Sequence, residues 1–216
     1  MTEVVRCHGV ARTYGRGGRA VVAVHGVTCT LHAGDQVALT GPSGSGKTTL
    51  LHLLAGLDQP TVGTITWPIL GDRPRGNVAV AFQGPSLLPS LDVLENVALP
   101  LLISGRQEGD ARHQARRSLE TLGIAELSDH LPEELSGGQA QRVALARVLA
   151  TVPRLILADE PTAQLDTALG GYVIDLLTDV AERTGAALLV ATHDETIAGR
   201  LRHRWSMHDG TLREAA

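Results

Sequence analysis

The sequence predicts an α/β fold: a parallel sheet with helices packed on it, an antiparallel β subdomain near the start, and a helical subdomain over roughly 85–150. Three observations carry this expectation. Short apolar runs at Gln36–Thr40, Arg154–Asp159 and Ala186–Ala191 have the length and composition of strands buried on both faces. Segments with helical spacing alternate with them, as over 140–149 and 167–183. The stretch Val4–Leu31 instead alternates enough to read as antiparallel strands around the turn Gly15-Arg16-Gly17-Gly18. A chain of 216 residues suits one such domain, 1–216, and is long enough to bury a large core.

In chain order, Cys7 and Cys29 come first. Two cysteines make no disulfide framework and show no metal-ligand spacing, so both read as small packed residues in a reducing compartment. After the strand Gln36–Thr40 comes Gly41-Pro42-Ser43-Gly44-Ser45-Gly46-Lys47-Thr48, followed by a helix former, Thr49–Ala55, that Gly56 stops. G-x-x-x-x-G-K-T between a strand and a helix is a phosphate-binding loop. Its glycines let successive N–H groups converge on phosphate oxygens, and the helix start adds its positive dipole end. Gly41, Ser43, Gly44, Ser45, Gly46, Lys47, Thr48 and Thr49 are therefore candidate nucleotide contacts. Lys47 suits the β- and γ-phosphates, and the Thr48 hydroxyl suits Mg²⁺. Of 19 basic residues Lys47 alone is lysine, so the compact ammonium appears only where such a loop needs it. Tyr14, one of two tyrosines, either stacks on the adenine or packs on a strand end.

Strands are expected over Thr61–Trp67 and Asn77–Phe82, joined by a turn from Gly71 to Gly76. Gln83, leaving the second strand, suits Mg²⁺ or the attacking water. Leu94–Ile103 and Asp110–Leu122 read as helices, the latter with Ala111, Ala115, Leu119 and Leu122 on one face. Arg112, Arg116 and Arg117 lie mostly off that face; with Arg200, Arg202 and Arg204 they read as solvated surface.

Leu135-Ser136-Gly137-Gly138-Gln139 opens a helix that Ser136 can cap, and its glycines leave the first N–H groups open to an anion. It stands far in sequence from the first loop and reads as a second phosphate-binding element. Arg154–Glu160 is a buried strand ending in two acids, which are costly unless they face a cation or a water. Asp159 suits the Mg²⁺ side and Glu160 the general base. Pro161 ends the strand, and Ala163-Gln164-Leu165-Asp166 forms a turn. The helix over Thr167–Arg183 is expected to bury Leu169, Val173, Leu176, Leu177 and Val180. The strand to Ala191 runs into Thr192-His193-Asp194, placing His193 where ligand sites of parallel sheets lie, within reach of a γ-phosphate and of Glu160. Residues 203–213 read as a closing hairpin.

The totals exclude several classes. The net charge of −4 and an aromatic share of 2% fit neither a nucleic-acid surface nor a base-stacking platform, so no direct nucleic-acid partner is expected. Glu3 and Arg6 stand where a signal peptide needs an apolar core, and runs such as Leu99–Ile103 are too short to span a bilayer. Membrane association is expected only through a partner.

Together the loop at 41–48, Gln83, the Leu-Ser-Gly-Gly-Gln run, Asp159–Glu160 and His193 resemble the nucleotide-binding domain of the ATP-binding cassette (ABC) family, in its order and over nearly the whole chain. The resemblance implies a P-loop NTPase (RecA-like) core with an antiparallel β subdomain and a helical signature subdomain. It implies Mg²⁺-dependent hydrolysis of ATP, with Thr48, Gln83 and Asp159 around the metal and Glu160, His193 and Gln83 at the reacting phosphate. It also implies a head-to-tail dimer, expected to be a homodimer, in which Ser136, Gly137, Gly138 and Gln139 of one chain reach the ATP of the other; Tyr14 and Asp166 join the nucleotide set.

Phe82-Gln83, Leu87-Leu88-Pro89, Glu95-Asn96-Val97 and Leu99–Leu102 resemble the macrolide-efflux and lipoprotein-release branch. That branch implies a four-span permease contacting 84–102, on the cytoplasmic face of the membrane. Soluble ABC ATPases of nucleic acid or the ribosome, and uptake cassettes, are the alternatives. The former bring coiled coils or a second cassette, of which this sequence shows neither. Three features depart from the branch: a short 63–83 segment, Ala163-Gln164 before Leu165-Asp166, and no expected regulatory domain beyond the cassette.

Overall fold

A computed structural model describes residues 2–71, 76–84 and 86–214. Residues 72–75 of the turn expected between Gly71 and Gly76, and Pro85 at the start of the expected helical subdomain, lie outside the described residues. The elements run β1 (Glu3–Tyr14), β2 (Val21–His32), β3 (Gln36–Thr40), α1 (Lys47–Leu54), β4 (Val62–Thr66), β5 (Val78–Ala81), α2 (Val93–Ile103), α3 (Glu108–Thr121), α4 (Gly137–Thr151), β6 (Leu155–Asp159), α5 (Thr167–Thr184), β7 (Ala187–Ala191), α6 (Glu195–Ala198), β8 (His203–His208) and β9 (Thr211–Glu214).

Two sheets result. β2, β1 and β4 form an antiparallel sheet in that order, and β5-β6-β7-β3-β8-β9 form a second sheet, parallel except for the β8–β9 hairpin. Every residue of β3, β6 and β7 is buried, as their mainly apolar composition favours, with Gln36, Thr40 and Asp159 as the polar positions at the strand ends. Alternation along these strands divides the core in two. Ala38, Ile156, Ala158, Leu188 and Val190 face a layer built by α2, α3, α4 and α5. Val37, Leu39, Leu155, Leu157, Leu189 and Ala191 face α1 and the antiparallel sheet. The period-2 side-chain rule is thus enough to seat helices on one face and a second sheet on the other. Cys7 and Cys29 are buried and opposite one another in the β1–β2 pair.

The face of α5 differs from the expected one. The helix buries Gly170, Gly171, Val173, Ile174, Leu177 and Ala181, while Leu176 and Val180 lie at the margin of the core. Two side chains approach its glycines closely. A Cβ at position 170 would come within 3.3 Å of the Thr162 side chain, and one at 171 within 2.8 Å of the Arg200 guanidinium. Arg200 in turn pairs with both carboxylate oxygens of Asp175 at 2.6 and 2.7 Å. Arg202 and Arg204 also hold partners, Glu182 and Glu195, at 2.7 Å each, so the arginines of this surface pin α5, α6 and β8 together.

The segment before α2 is organised by one buried side chain. Asn96 accepts from the Leu88 amide at 2.8 Å and donates to the carbonyls of Leu88, Leu91 and Asp92 at 2.9–3.1 Å. Asp92 and Glu95 close a capping box at the helix start. Asn96→Ala removes a group only 1% exposed and strands its partners. We expect a loss of about 3 kcal/mol in unfolding free energy by urea titration, with the 88–92 segment exchanging its amides faster.

Candidate nucleotide and hydrolysis site

The loop after β3 is held by its neighbours on both sides. Gly41 and Gly46 have φ of +146° and +100°. A Cβ at 41 would lie 2.1 Å from the Met207 carbonyl oxygen, and one at 46 would lie 2.2 Å from that of Ala23. The loop backbone therefore runs directly against β8 and β2, and only glycine fits at either contact. Lys47 folds back over it, its Nζ donating to the carbonyls of Gly41 (2.7 Å) and Pro42 (3.1 Å). A compact ammonium with three donors suits this arc, which a planar guanidinium does not match.

Opposite stands the end of β6. Thr48 Oγ1 donates to Asp159 Oδ2 at 2.6 Å, joining positions 111 residues apart. Asp159 is buried. Glu160 follows with φ of +47°, a strained left-handed turn for a residue with a side chain, while its N–H still continues the sheet ladder to the Ala191 carbonyl. That turn separates the two acids. The Glu160 carboxylate reaches His193 Nδ1 at 2.8 Å and accepts from Thr192 Oγ1 at 3.4 Å. An ionised carboxylate only accepts, so this contact makes Nδ1 the protonated ring nitrogen. The Glu160 side chain is 13% exposed and that of His193 71%, which places the pair at the mouth of a cleft.

The cleft holds about 250 Å³. Ser43, Gly44, Gly46, Lys47, Thr48 and Thr49 line one wall, Gln83, Asp159 and Glu160 the other, with Ala23 at one end. Gly41 and Ser45 sit behind this surface as its packing. The family pattern described as ABC transporter matches residues 24–163, which include every cleft-lining residue but Ala23.

The chain belongs to the ABC transporter family. It is 41% identical over 211 residues to the lipoprotein-releasing system ATP-binding protein LolD of Legionella pneumophila (strain Paris), covering 93% of each chain. It is 39% identical over 225 aligned positions to the LolD of Xanthomonas oryzae pv. oryzae (strain MAFF 311018), covering 100% of this chain and 92% of that one. Among solved structures it resembles the ATP-binding cassette MJ0796 as a post-hydrolysis dimer bound to ADP and Pi, with a TM-score of 0.91, 34% identity, and 98% and 97% of the two chains covered. The cassette is thus an ATPase that uses ATP with Mg²⁺, the motor subunit of a membrane ABC transporter.

The residues present fit that pair. Hydroxyl, carboxylate and carboxamide oxygens from Thr48, Asp159 and Gln83 form the hard donor set that Mg²⁺ prefers. Thr48 and Asp159 already meet at 2.6 Å, and Gln83 lines the same cleft. The bound ion would neutralise charge developing on the phosphates.

Other expected residues stand elsewhere. Ser136 caps α4, accepting from the Gln139 amide at 3.3 Å while its own amide donates to Gln139 Oε1 at 2.8 Å. None of 136–139 lines the cleft. Gln164 lies against this helix start: a Cβ at Gly137 would be 2.6 Å from Gln164 Oε1, and one at Gly138 would be 3.3 Å from the Gln164 carbonyl. The two glycines therefore also have a packing reason that sequence reasoning missed. Asp166 caps α5 through the Leu169 amide at 2.9 Å. Tyr14 sits at the end of β1, outside the cleft lining.

Two further residues escaped the sequence reading. Thr192 is fully buried and anchors both Glu160 and the Asp194 amide. Its signal was a hydroxyl ending an apolar strand beside His193. Gln141, also buried, donates to the Pro161 carbonyl at 3.1 Å and ties α4 to the turn after Glu160; its signal was a polar residue on the buried side of a helix.

Because His193 and Thr192 hydrogen-bond Glu160 directly, their loss should fall on turnover. His193→Ala is expected to lower kcat about 100-fold with ATP affinity within twofold, and Thr192→Val to lower it less. Steady-state ATPase assays beside equilibrium nucleotide titration check both.

Proposed function

We propose that two copies of this cassette close head to tail over two ATP molecules and drive a four-span membrane partner in export or force transmission. The observation that carries the reading is the separation of two anion-binding elements in one chain. The loop at 41–49 forms a cleft, while the capped start of α4 presents Ser136, Gly137 and Gly138 away from it. In a two-fold pair each element completes the other's site. The solved relative of this shape is itself titled a dimer bound to ADP and Pi.

In this reading Lys47 and the loop amides hold the β- and γ-phosphates, Thr48, Gln83 and Asp159 hold Mg²⁺, and Tyr14 stacks on adenine. Glu160 takes a proton from the water that attacks the γ-phosphorus. The new P–O bond forms as the bond to the ADP oxygen breaks, and the proton stays on Glu160 until product leaves. His193 and Thr192 keep the carboxylate turned toward that water. Ser136, Gly137, Gly138, Gln139 and Asp166 act across the dimer. Hydrolysis removes the γ-phosphate that bridges the pair, and the cassettes part.

The membrane partner's contact is assigned to 84–102. Leu88 and Leu102 are exposed in this stretch, as is Ile103 beside it, and a cavity of about 560 Å³ opens between β5 and the ends of α2 and α4. Among the described residues no helix is long and apolar enough to cross a membrane. In this reading the membrane partner holds the cassette at the cytoplasmic face. The curated relatives carry the name of a lipoprotein-releasing system, and release of a lipid-anchored substrate is the reading we favour.

Glu160→Gln keeps the shape of the carboxylate and loses the base. With ATP and Mg²⁺ it is expected to run as a dimer by light scattering, with hydrolysis down about 100-fold or more. Wild-type turnover would sink the assignment of Glu160. The same variant, extracted from its host membranes, is expected to retain a four-span chain; recovery on ribosomes or DNA alone would overturn the transport reading. Leu87 packs against the core, so exposed Leu88 is the better probe of the contact. Leu88→Asp is expected to spare basal ATPase of the isolated chain and to abolish co-purification of the membrane partner.

A further inference from the structure

Asp58 belongs to no part of the cleft, yet three groups converge on it. Tyr14 Oη donates to Asp58 Oδ2 at 2.8 Å. Arg12 spans the carboxylate, with Nε to Oδ2 at 2.8 Å and Nη2 to Oδ1 at 2.8 Å. The Gln59 amide donates to Oδ1 at 2.7 Å. The Arg12 guanidinium also lies over the Tyr14 ring, its Cζ 4.6 Å from the ring centroid. One face of the ring is thus covered by a cation, and 39% of the residue remains exposed.

Position makes this cluster more than a surface ion pair. Tyr14 pairs with Val21 on β2, two residues before Ala23, which lines the phosphate cleft; the β1–β2 ladder is bulged at Ala23 itself. Asp58 lies just beyond α1, the helix whose first turn carries Lys47 and Thr48. The Leu57 and Asp58 amides both bond the His52 carbonyl, so the loop bearing Asp58 folds onto the last turn of that helix. The Thr13 amide bonds Thr61 Oγ1, and the Thr61 amide bonds the Ala11 carbonyl, lacing β1 to the same loop. The ring is therefore tied through Asp58 to one end of the helix whose other end grips phosphate. Burial alone would raise the Asp58 carboxyl, but hydrogen bonds from Tyr14 and Gln59 and the Arg12 charge outweigh it and hold it below the usual aspartate value, so it stays ionised at neutral pH.

We infer that Asp58 and Arg12 are positioning residues that fix the Tyr14 ring at a set distance from the phosphate loop, making the nucleobase end of the site a preformed platform. This rests on the reading of Tyr14 as the base-stacking residue. A ring already held in place loses no rotamer freedom when a base arrives, so the gain appears in affinity for ligands that carry a base and not in affinity for phosphate alone.

The test compares MgATP with magnesium tripolyphosphate, which fills the phosphate loop and has no base, by calorimetric titration of the full chain. Tyr14→Ala, Tyr14→Phe and Asp58→Ala are measured against wild type. Tyr14→Phe keeps the ring and the Arg12–Asp58 pair and removes only the tether. The expected result is a 5- to 10-fold loss of MgATP affinity in Asp58→Ala and a loss of about threefold in Tyr14→Phe, with tripolyphosphate binding within twofold throughout. If Tyr14→Ala binds MgATP as wild type does, the stacking reading itself falls. If Tyr14→Ala weakens MgATP while Tyr14→Phe and Asp58→Ala do not, stacking stands and positioning is overturned. Equal weakening of both ligands in Asp58→Ala would make its role general to the fold and also overturn the inference. Should Asp58→Ala fail to fold, Tyr14→Phe decides alone.

Discussion

The structure depends on the parallel register of β3, β6 and β7. Leu39 pairs with Ala191, and Asp159 pairs with the same residue from the other side, so three strands end level at one edge. At that edge the ladder still continues in single bonds: the Thr192 amide to the Leu39 carbonyl, and the Glu160 amide to the Ala191 carbonyl. The next residue of each strand is then delivered to the same small region. They are Thr40 with its glycine loop, Glu160, and Thr192 with His193. Residues more than a hundred positions apart in sequence meet because a parallel sheet leaves its unpaired, polar-tolerant positions at the carboxyl ends of its strands.

Burial of the sheet on both faces is what makes that edge rigid. Helices on one side and the antiparallel sheet on the other leave β3, β6 and β7 no freedom to slip, since a shift of one residue would exchange the two core faces. Rigidity matters for chemistry that turns on a few tenths of an ångström. The left-handed turn at Glu160 is tolerated because the ladder on one side and the Thr192 and His193 contacts on the other hold it there. Asp159 and Glu160, adjacent in sequence, serve different partners for the same reason.

The link between this edge and the helical subdomain runs through the turn after β6. Gln141 holds the Pro161 carbonyl, Gln164 lies across the start of α4, and Asp166 caps α5. One short turn thus touches the base-bearing strand, the Ser136-Gly137-Gly138 element and the helix behind them. Gln164 brings a long side chain over Gly137.

Much of this was written in the sequence. Short apolar runs at Gln36–Thr40, Arg154–Asp159 and Ala186–Ala191 suit buried strands, a glycine loop before Lys47 and Thr48 can hold phosphate without side-chain clashes, and a doubled acid at the end of such a strand needs a cation or a water. Those signals are local, so they are legible in one dimension, and they determined the fold class, the phosphate loop and the roles open to Asp159, Glu160 and His193. What tertiary structure alone decided depends on groups far apart in the chain. The inward stripe of α5 carries Val173, Ile174 and Leu177 together with Gly170 and Gly171, which Thr162 and Arg200 approach closely. Thr192 and Gln141 became functional neighbours only through the register of β7 against β6 and the packing of α4. Asp58 and Tyr14, 44 residues apart, were joined by the fold of the loop after α1. Periodicity and composition record which way a side chain faces; what it meets there is fixed by the packing of the whole molecule.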